Sequence, residues 1–169
     1  MAQKQTLFLL RHAEAAPWYP GVPDLERRLS ERGLAHMAKL SQWASTAIDP
    51  PDLVLCSTAT RTRQTLESLG PGWIGENTRI RLEPDMYEAT TGFLHNLADK
   101  AFRSVDRVML VGHNPGLGYL SRAILADLPD NTPGTMAPGS LAVIEFERGW
   151  GGNEGTGQIV HWVSQSQFD

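Results

Sequence analysis

A three-layer α/β/α fold around a mostly parallel central sheet is the architecture this sequence predicts, and three observations predict it. Residues 6–10 (TLFLL), 52–56 (DLVLC) and 106–111 (DRVMLV) are short apolar runs with no alternation, the pattern of strands buried on both faces. Segments with helical apolar spacing lie between them, which is the β-α alternation of a parallel sheet. Each run ends in small or polar residues, and open α/β sheets carry their ligands beyond the carboxyl ends of strands.

The remaining elements follow in order. Over 34–48, Leu34, Met37, Ser41, Ala44 and Ile48 fall near one helix face, with Ser30 as N-cap and Glu31 in the first turn. Over 58–69, Ala59, Thr62, Leu66 and Leu69 share a face, and Gly70-Pro71 stops the helix. Residues 79–83 read as a strand and 91–101 as a helix. Asn114-Pro115 reads as an N-cap with proline at the first helical position, opening a helix to Ala126 whose inward stripe is Leu117, Leu120 and Ile124. Residues 140–147 (SLAVIEFE) and 158–163 (QIVHWV) read as a strand pair forming an antiparallel edge. The glycine-rich stretch 148–157 is the hairpin loop between them, and 130–139 is a second loop. No repeat or linker interrupts the chain, so residues 1–169 read as a single domain.

Composition narrows the function classes. Fifteen Lys and Arg against 19 Asp and Glu give a formal net charge of −4 with no basic stripe, so nucleic acid is not an expected partner. An anionic substrate stays open, because local charge can oppose global charge. One cysteine, Cys56, excludes a disulfide framework and a cysteine-based zinc site within one chain. No run approaches the ~18 apolar residues of a membrane span, and 6–10 is too short for a signal h-region. A cytoplasmic monomer that does not contact membranes is expected.

The strand-end rule brings three places together: Arg11-His12, then Ser57 with the helix carrying Arg61, then Gly112-His113-Asn114. Arginine forks match phosphate oxygens, and a neutral imidazole is a nucleophile at pH 7. A second histidine can donate to a phosphate oxygen, and the helix opened by Asn114 adds backbone N–H groups. These parts suit phosphoryl transfer, where catalysis is mostly positioning and charge stabilisation.

Four motifs in order carry a family resemblance. Leu9-Leu10-Arg11-His12-Ala13-Glu14, Arg28-Leu29-Ser30-Glu31-Arg32-Gly33, the Ser57-to-Thr65 segment with Arg61, Gln64 and Thr65, and Val111-Gly112-His113-Asn114-Pro115 are similar to signatures of the histidine phosphatase superfamily. The short chain and the Arg-His-Ala variant look most like its SixA-type phosphohistidine phosphatases. The resemblance implies a phosphoglycerate mutase-like fold with no large cap insertion. It implies a phosphatase that needs no metal and no cofactor. His12 would be the nucleophile, Arg11 and Arg61 the phosphoryl clamps, and His113 a stabiliser of the transferring group. Glu88 holds the place of the family's proton donor, with Glu83 and Asp85 as competitors. The implied partner is a phosphorylated protein bearing phosphohistidine, or a small phosphorylated molecule. The alternatives are a small-molecule phosphomonoesterase using the same residues, or a phosphate-binding module without turnover.

Plainer readings stand beside these. Ser57 and Asn114 suit helix caps as well as phosphate contacts. Arg11 could pair with Glu14, and Arg28 could make a structural ion pair or anchor the loop before it. Arg63 should face away from Arg61, Trp18 should pack, and His36, His95 and His161 have no assigned role. Cys56 lacks the Cys-x₅-Arg spacing of cysteine phosphatases, since Arg61 gives Cys-x₄-Arg, and reads as an inert core thiol. Metal ligation by His12, His113 and Glu88 is disfavoured by the flanking arginines and by the lack of HExxH-type spacing.

Overall fold

Alternate residues of the central strands feed two separate cores, one on each face of the sheet. The computed structural model describes residues 3–127, 136–147, 149–151 and 155–169. Among them, β1 (Gln5–Arg11), β2 (Leu53–Ser57), β3 (Arg79–Glu83), β4 (Arg107–Gly112), β5 (Leu141–Phe146) and β6 (Gln158–Val163) form one sheet in the order β3-β2-β4-β1-β5-β6. The first four strands of that order are parallel, and β5 and β6 add an antiparallel edge.

Leu7 and Leu9 of β1, Leu55 of β2 and Leu110 of β4 pack on α3 (Thr91–Ala101) and α4 (Gly116–Ile124) through Leu94, Leu97, Leu117 and Leu120. Their neighbours Phe8, Leu10, Cys56 and Val111 pack on α1 (Glu31–Ala47) and α2 (Thr60–Glu67) through Met37, Leu40, Ala44 and Leu66. The period-2 geometry of a strand makes this division automatic. It is why the strand sequences carry no polar face. Each fully buried leucine contributes roughly 1.5–3 kcal/mol.

Several details differ from the sequence expectations. Ser30 caps α1 as expected, its Oγ accepting from the Gly33 N–H at 3.0 Å, but Leu34 lies outside the buried stripe at 42 % exposed. Met37, Ser41 and Ala44 are buried as expected, and Gly33, His36 and Leu40 complete the stripe. α2 starts two residues late, because the Thr62 hydroxyl bonds the carbonyls of Ser57 and Ala59 and closes the turn. α4 begins one residue later than expected, with Pro115 at the N-cap position, but Asn114 still caps its first turn: its Oδ1 accepts from the Gly118 N–H at 3.2 Å while its amide donates to the Met136 carbonyl at 2.7 Å. It ends at Ile124 because the Ala126 N–H turns to the Gly157 carbonyl at 2.8 Å. The expected loops at 130–139 and 148–157 fall partly outside the described residues.

The backbone leaving β1 is held from several sides. The His12 N–H donates to the Gly112 carbonyl at 3.1 Å, the Ala13 N–H to Thr65 Oγ1 at 3.0 Å, and the Gly139 N–H to the His12 carbonyl at 2.9 Å. The Ser30 N–H reaches the Glu14 carbonyl at 2.9 Å. That contact brings the first turn of α1 so close that a Cβ on Gly33 would lie 2.3 Å from the Glu14 oxygen. The motif glycine is there to allow this approach.

Gly33→Ala should therefore destabilise despite alanine's better helix propensity, by about 1–3 kcal/mol. Thermal unfolding should show a melting temperature lower by about 5 °C. Gly92→Ala, in α3 with nothing within 4 Å of the added Cβ, should not lower it. A Gly33→Ala protein as stable as the parent would contradict the close-approach reading.

Candidate active site

His12 follows the end of β1 and is only 8 % exposed. Its Nδ1 lies 2.7 Å from the Ala13 carbonyl oxygen. A carbonyl only accepts, so Nδ1 carries the proton and Nε2 carries the lone pair. Burial pushes the His12 pKa down to about 4; the Ala13 hydrogen bond opposes this, and the charges of Arg61, Arg11 and Arg27 add to it. The ring is neutral at pH 7.

His113 follows β4, the parallel neighbour of β1. Its ring centre is 5.3 Å from that of His12, and its Nε2 shares a 2.8 Å hydrogen bond with Ser57 Oγ. Burial, then the neighbouring His12 and Arg61, lower its pKa to about 3. Two neutral imidazoles thus stand side by side.

Arg61, in the first turn of α2, is 5 % exposed. Its Nη1 donates to the Asp24 carbonyl at 2.7 Å and its Nη2 to Asp24 Oδ2 at 3.0 Å. Arg11 donates through Nη1 to the Met136 carbonyl at 2.8 Å. Burial, and then the charge of Arg61, lowers the Arg11 pKa. The Nε groups of both arginines are buried without a protein acceptor among the described residues. Buried donors without acceptors cost about 1–3 kcal/mol each. An oxyanion between them would offset that cost.

The structure brings Arg11, His12, Ser57, Arg61, His113 and Asn114 to one end of the sheet. Glu88 is exposed and lines a cavity of about 560 Å³ together with His113, Asn114 and Tyr119. Its φ of 57° is in the left-handed region that favours glycine, a conformation worth noting beside a functional site. Ser57 does not act as a simple helix cap: its hydroxyl is 3.4 Å from the Ala59 N–H but 2.8 Å from His113.

Other residues sort differently from expectation. Glu14 pairs with Arg32 and accepts from Ser30 Oγ, so it is not the partner of Arg11. Trp18 is 58 % exposed instead of packed. Arg63 is exposed, as its spacing from Arg61 requires. Cys56 is fully buried, and burial pushes its thiol up to about 12, which suits an inert thiol.

Sequence reasoning missed Asp24, Arg27 and Tyr87. Asp24 lies in a 3-10 turn (Asp24–Glu26) between β1 and α1. Besides holding Arg61, it accepts from the Tyr87 hydroxyl at 2.6 Å and pairs with Arg27 at 3.2 Å. The Tyr87 hydrogen bond is the main reason its carboxyl is held below the usual range. The Tyr87 ring meets His113 edge-on at 5.5 Å. One signal was available: opposite charges three apart in Asp24-Leu25-Glu26-Arg27, just before the Leu29-Ser30 motif.

Comparison with known proteins finds similarity in family and in fold. The profile of the histidine phosphatase superfamily (branch 1) matches residues 7–107. An uncharacterized protein of Mycobacterium tuberculosis is 34% identical over 113 residues, covering 66% of this chain and 67% of the relative. The crystal structure of a candidate phosphohistidine phosphatase SixA from Agrobacterium tumefaciens superimposes with a TM-score of 0.82 at 30% identity, over 95% of this chain and 97% of that one. The protein histidine phosphatase SixA complexed with tungstate shares the fold, with a TM-score of 0.79 at 22% identity over 97% and 99% of the two chains.

The lowered histidine pKa values make a stability prediction. Below their ordinary pKa of 6.5, His12 and His113 bind protons in the unfolded chain but not in the folded one, down to about 4 and about 3. The unfolded state then holds more protons, so this contribution is full above pH 6.5 and is lost as pH falls through that window. Urea unfolding at pH 7 and pH 4.5 should show a smaller loss for the His12→Asn/His113→Asn double variant than for the parent. Equal losses would count against the buried neutral pair.

Proposed function

The chain belongs to the histidine phosphatase superfamily and is a phosphatase, and from that premise we propose that it hydrolyses protein phosphohistidine through a phosphorylated His12, with no metal ion in the reaction. The observation that carries this reading is the neutral His12 ring with its Nδ1 proton bound to the Ala13 carbonyl. In the first step the Nε2 lone pair attacks phosphorus. The P–N bond of the substrate breaks, and the departing imidazole keeps the electron pair and takes up a proton. In the second step water attacks the phosphorus of phospho-His12, the P–Nε2 bond breaks, and inorganic phosphate leaves. The Nδ1 proton stays in place throughout, so the phosphorylated ring is cationic and departs as a neutral imidazole. Arg11 and Arg61 neutralise the charge on the transferring oxygens, the neutral His113 ring stabilises the group by donating a hydrogen bond, and Asn114 and Ser57 support that set.

Glu88 is assigned as the proton donor, and the leaving group decides how much it matters. An alkoxide gains about 10²–10⁴-fold from a positioned acid, whereas a departing imidazole protonates readily. The chain between Glu88 and His113 is taken up by α3 and β4, which supports an open pocket suited to a phosphate displayed on a protein. The similarity to a candidate SixA phosphohistidine phosphatase supports the same substrate class. The cavity of about 560 Å³ beside His113 favours the second reading, a small phosphomonoester.

A phosphohistidine peptide should surpass sugar and nucleotide phosphates in kcat/KM, and EDTA should leave the rate unchanged. His12→Ala should lower kcat by at least about 10³-fold. A small ester ranked above every phosphohistidine peptide would replace the first reading with the second. Phosphate binding without any turnover would remove both. Glu88→Gln should slow ester hydrolysis by about 10²-fold or more while phosphohistidine hydrolysis falls less than about 10-fold. Equal losses on both substrates would take the donor role from Glu88.

A further inference from the structure

We propose that Arg27 is a third phosphate-binding residue of this site, held in place by a carboxylate that it shares with Arg61. The inference rests on the phosphatase reading above and extends its anion site from two arginines to three.

Asp24 is the centre of the arrangement. Its Oδ2 accepts from Arg61 Nη2 at 3.0 Å and from the Tyr87 hydroxyl at 2.6 Å. Its Oδ1 pairs with Arg27 Nη2 at 3.2 Å. Its backbone carbonyl takes the Arg61 Nη1 at 2.7 Å and the Arg27 N–H at 3.1 Å. One residue therefore fixes two guanidinium groups by their outer nitrogens. In both of them the Nε stays buried without a protein acceptor among the described residues, as it does in Arg11.

A purely structural ion pair does not explain this pattern. Arg27 keeps 29 % of its side chain exposed, so its guanidinium could reach water, yet its Nε is turned to a buried place where nothing accepts from it. Among the described residues Asp24 is also the one carboxylate paired with Arg27 and Arg61, and Arg11 beside Arg61 is bonded only to a carbonyl. That excess of positive charge is unfavourable by itself and is balanced by a phosphoryl dianion. Arg27 lies near enough to His12 for its charge to help hold that ring neutral. A transferring phosphoryl group spreads its charge over three equatorial oxygens, which matches three guanidinium groups around one nucleophile. Arg28, the neighbouring arginine, is exposed, and among the described residues its contact is through its backbone carbonyl, to the Ala16 N–H.

The test compares Arg27→Gln with Arg28→Gln, which remove the same charge one position apart. Arg27→Lys and Arg61→Gln complete the set. The readouts are the Ki of inorganic phosphate, kcat and KM on a phosphohistidine peptide, and the melting temperature. Arg27→Gln should raise the phosphate Ki by about 10–100-fold, the worth of a charge-assisted contact, while Arg28→Gln changes it less than about 2-fold. Equal effects from the two neighbours would overturn the proposal, because they would show only long-range charge. If Arg27→Gln fails to fold, Arg27→Lys decides: it keeps the charge for Asp24 but lacks Nε. Its Ki should rise about 3-fold or more at an unchanged melting temperature, and an unchanged Ki would overturn the proposal. Arg61→Gln separates the two levels. A raised Ki there with none at Arg27 leaves the phosphatase site standing without its third arginine, whereas no effect at either position defeats the anion site itself.

Discussion

The hydrogen bond from His12 Nδ1 to the Ala13 carbonyl is the constraint on which the rest of the site depends. It selects the tautomer and so leaves Nε2 as the basic nitrogen. It works only if the Ala13 carbonyl is itself held still. That is the task of the Thr65, Gly112 and Gly139 contacts and of the first turn of α1 pressed against Glu14. Much of the fold thus converges on a few backbone atoms after β1. Thr65 comes from α2, Gly112 from the neighbouring parallel strand and Gly139 from the segment before β5. The in-register pairing of Arg11 with Gly112 also sets His113 beside His12, since each histidine directly follows its strand.

Charge is arranged locally against the global balance. The chain carries a net −4, yet Arg11, Arg27 and Arg61 sit around two histidines whose burial keeps them neutral. Neutral rings add no further repulsion among these cations and leave a lone pair available. Asp24 limits the repulsion between Arg61 and Arg27 without filling their Nε positions. Such preorganised charge in a partly dry site stabilises a transferring phosphoryl group more than the same charges would in water.

The sheet was legible because residues buried on both faces leave unbroken apolar runs, as in Leu7, Leu9 and Leu10 around Phe8. Arg11, His12, Arg61 and His113 were legible because strand ends are where α/β sheets carry their chemistry. What the sequence hid depends on contacts distant in the chain. Asp24 and Tyr87 are 63 residues apart and meet only through the fold. Arg27 and Arg28 are indistinguishable as letters, and only the 3-10 turn decides which one faces Asp24. Asn114 was legible as a capping residue, and its Oδ1 does accept from the Gly118 N–H, but the bond of its amide to the distant Met136 carbonyl was not. Leu34 satisfied the helical period but lies at the margin of the buried face, 42 % exposed.

The most direct test of the account is the position of the phosphoryl group on the trapped enzyme intermediate. Rapid quench under alkaline conditions, followed by tandem mass spectrometry and ³¹P NMR of the peptide around residue 12, distinguishes the two ring nitrogens. The hydrogen bond to Ala13 predicts phosphate on His12 Nε2. Phosphate on Nδ1, or on His113 instead of His12, would contradict it.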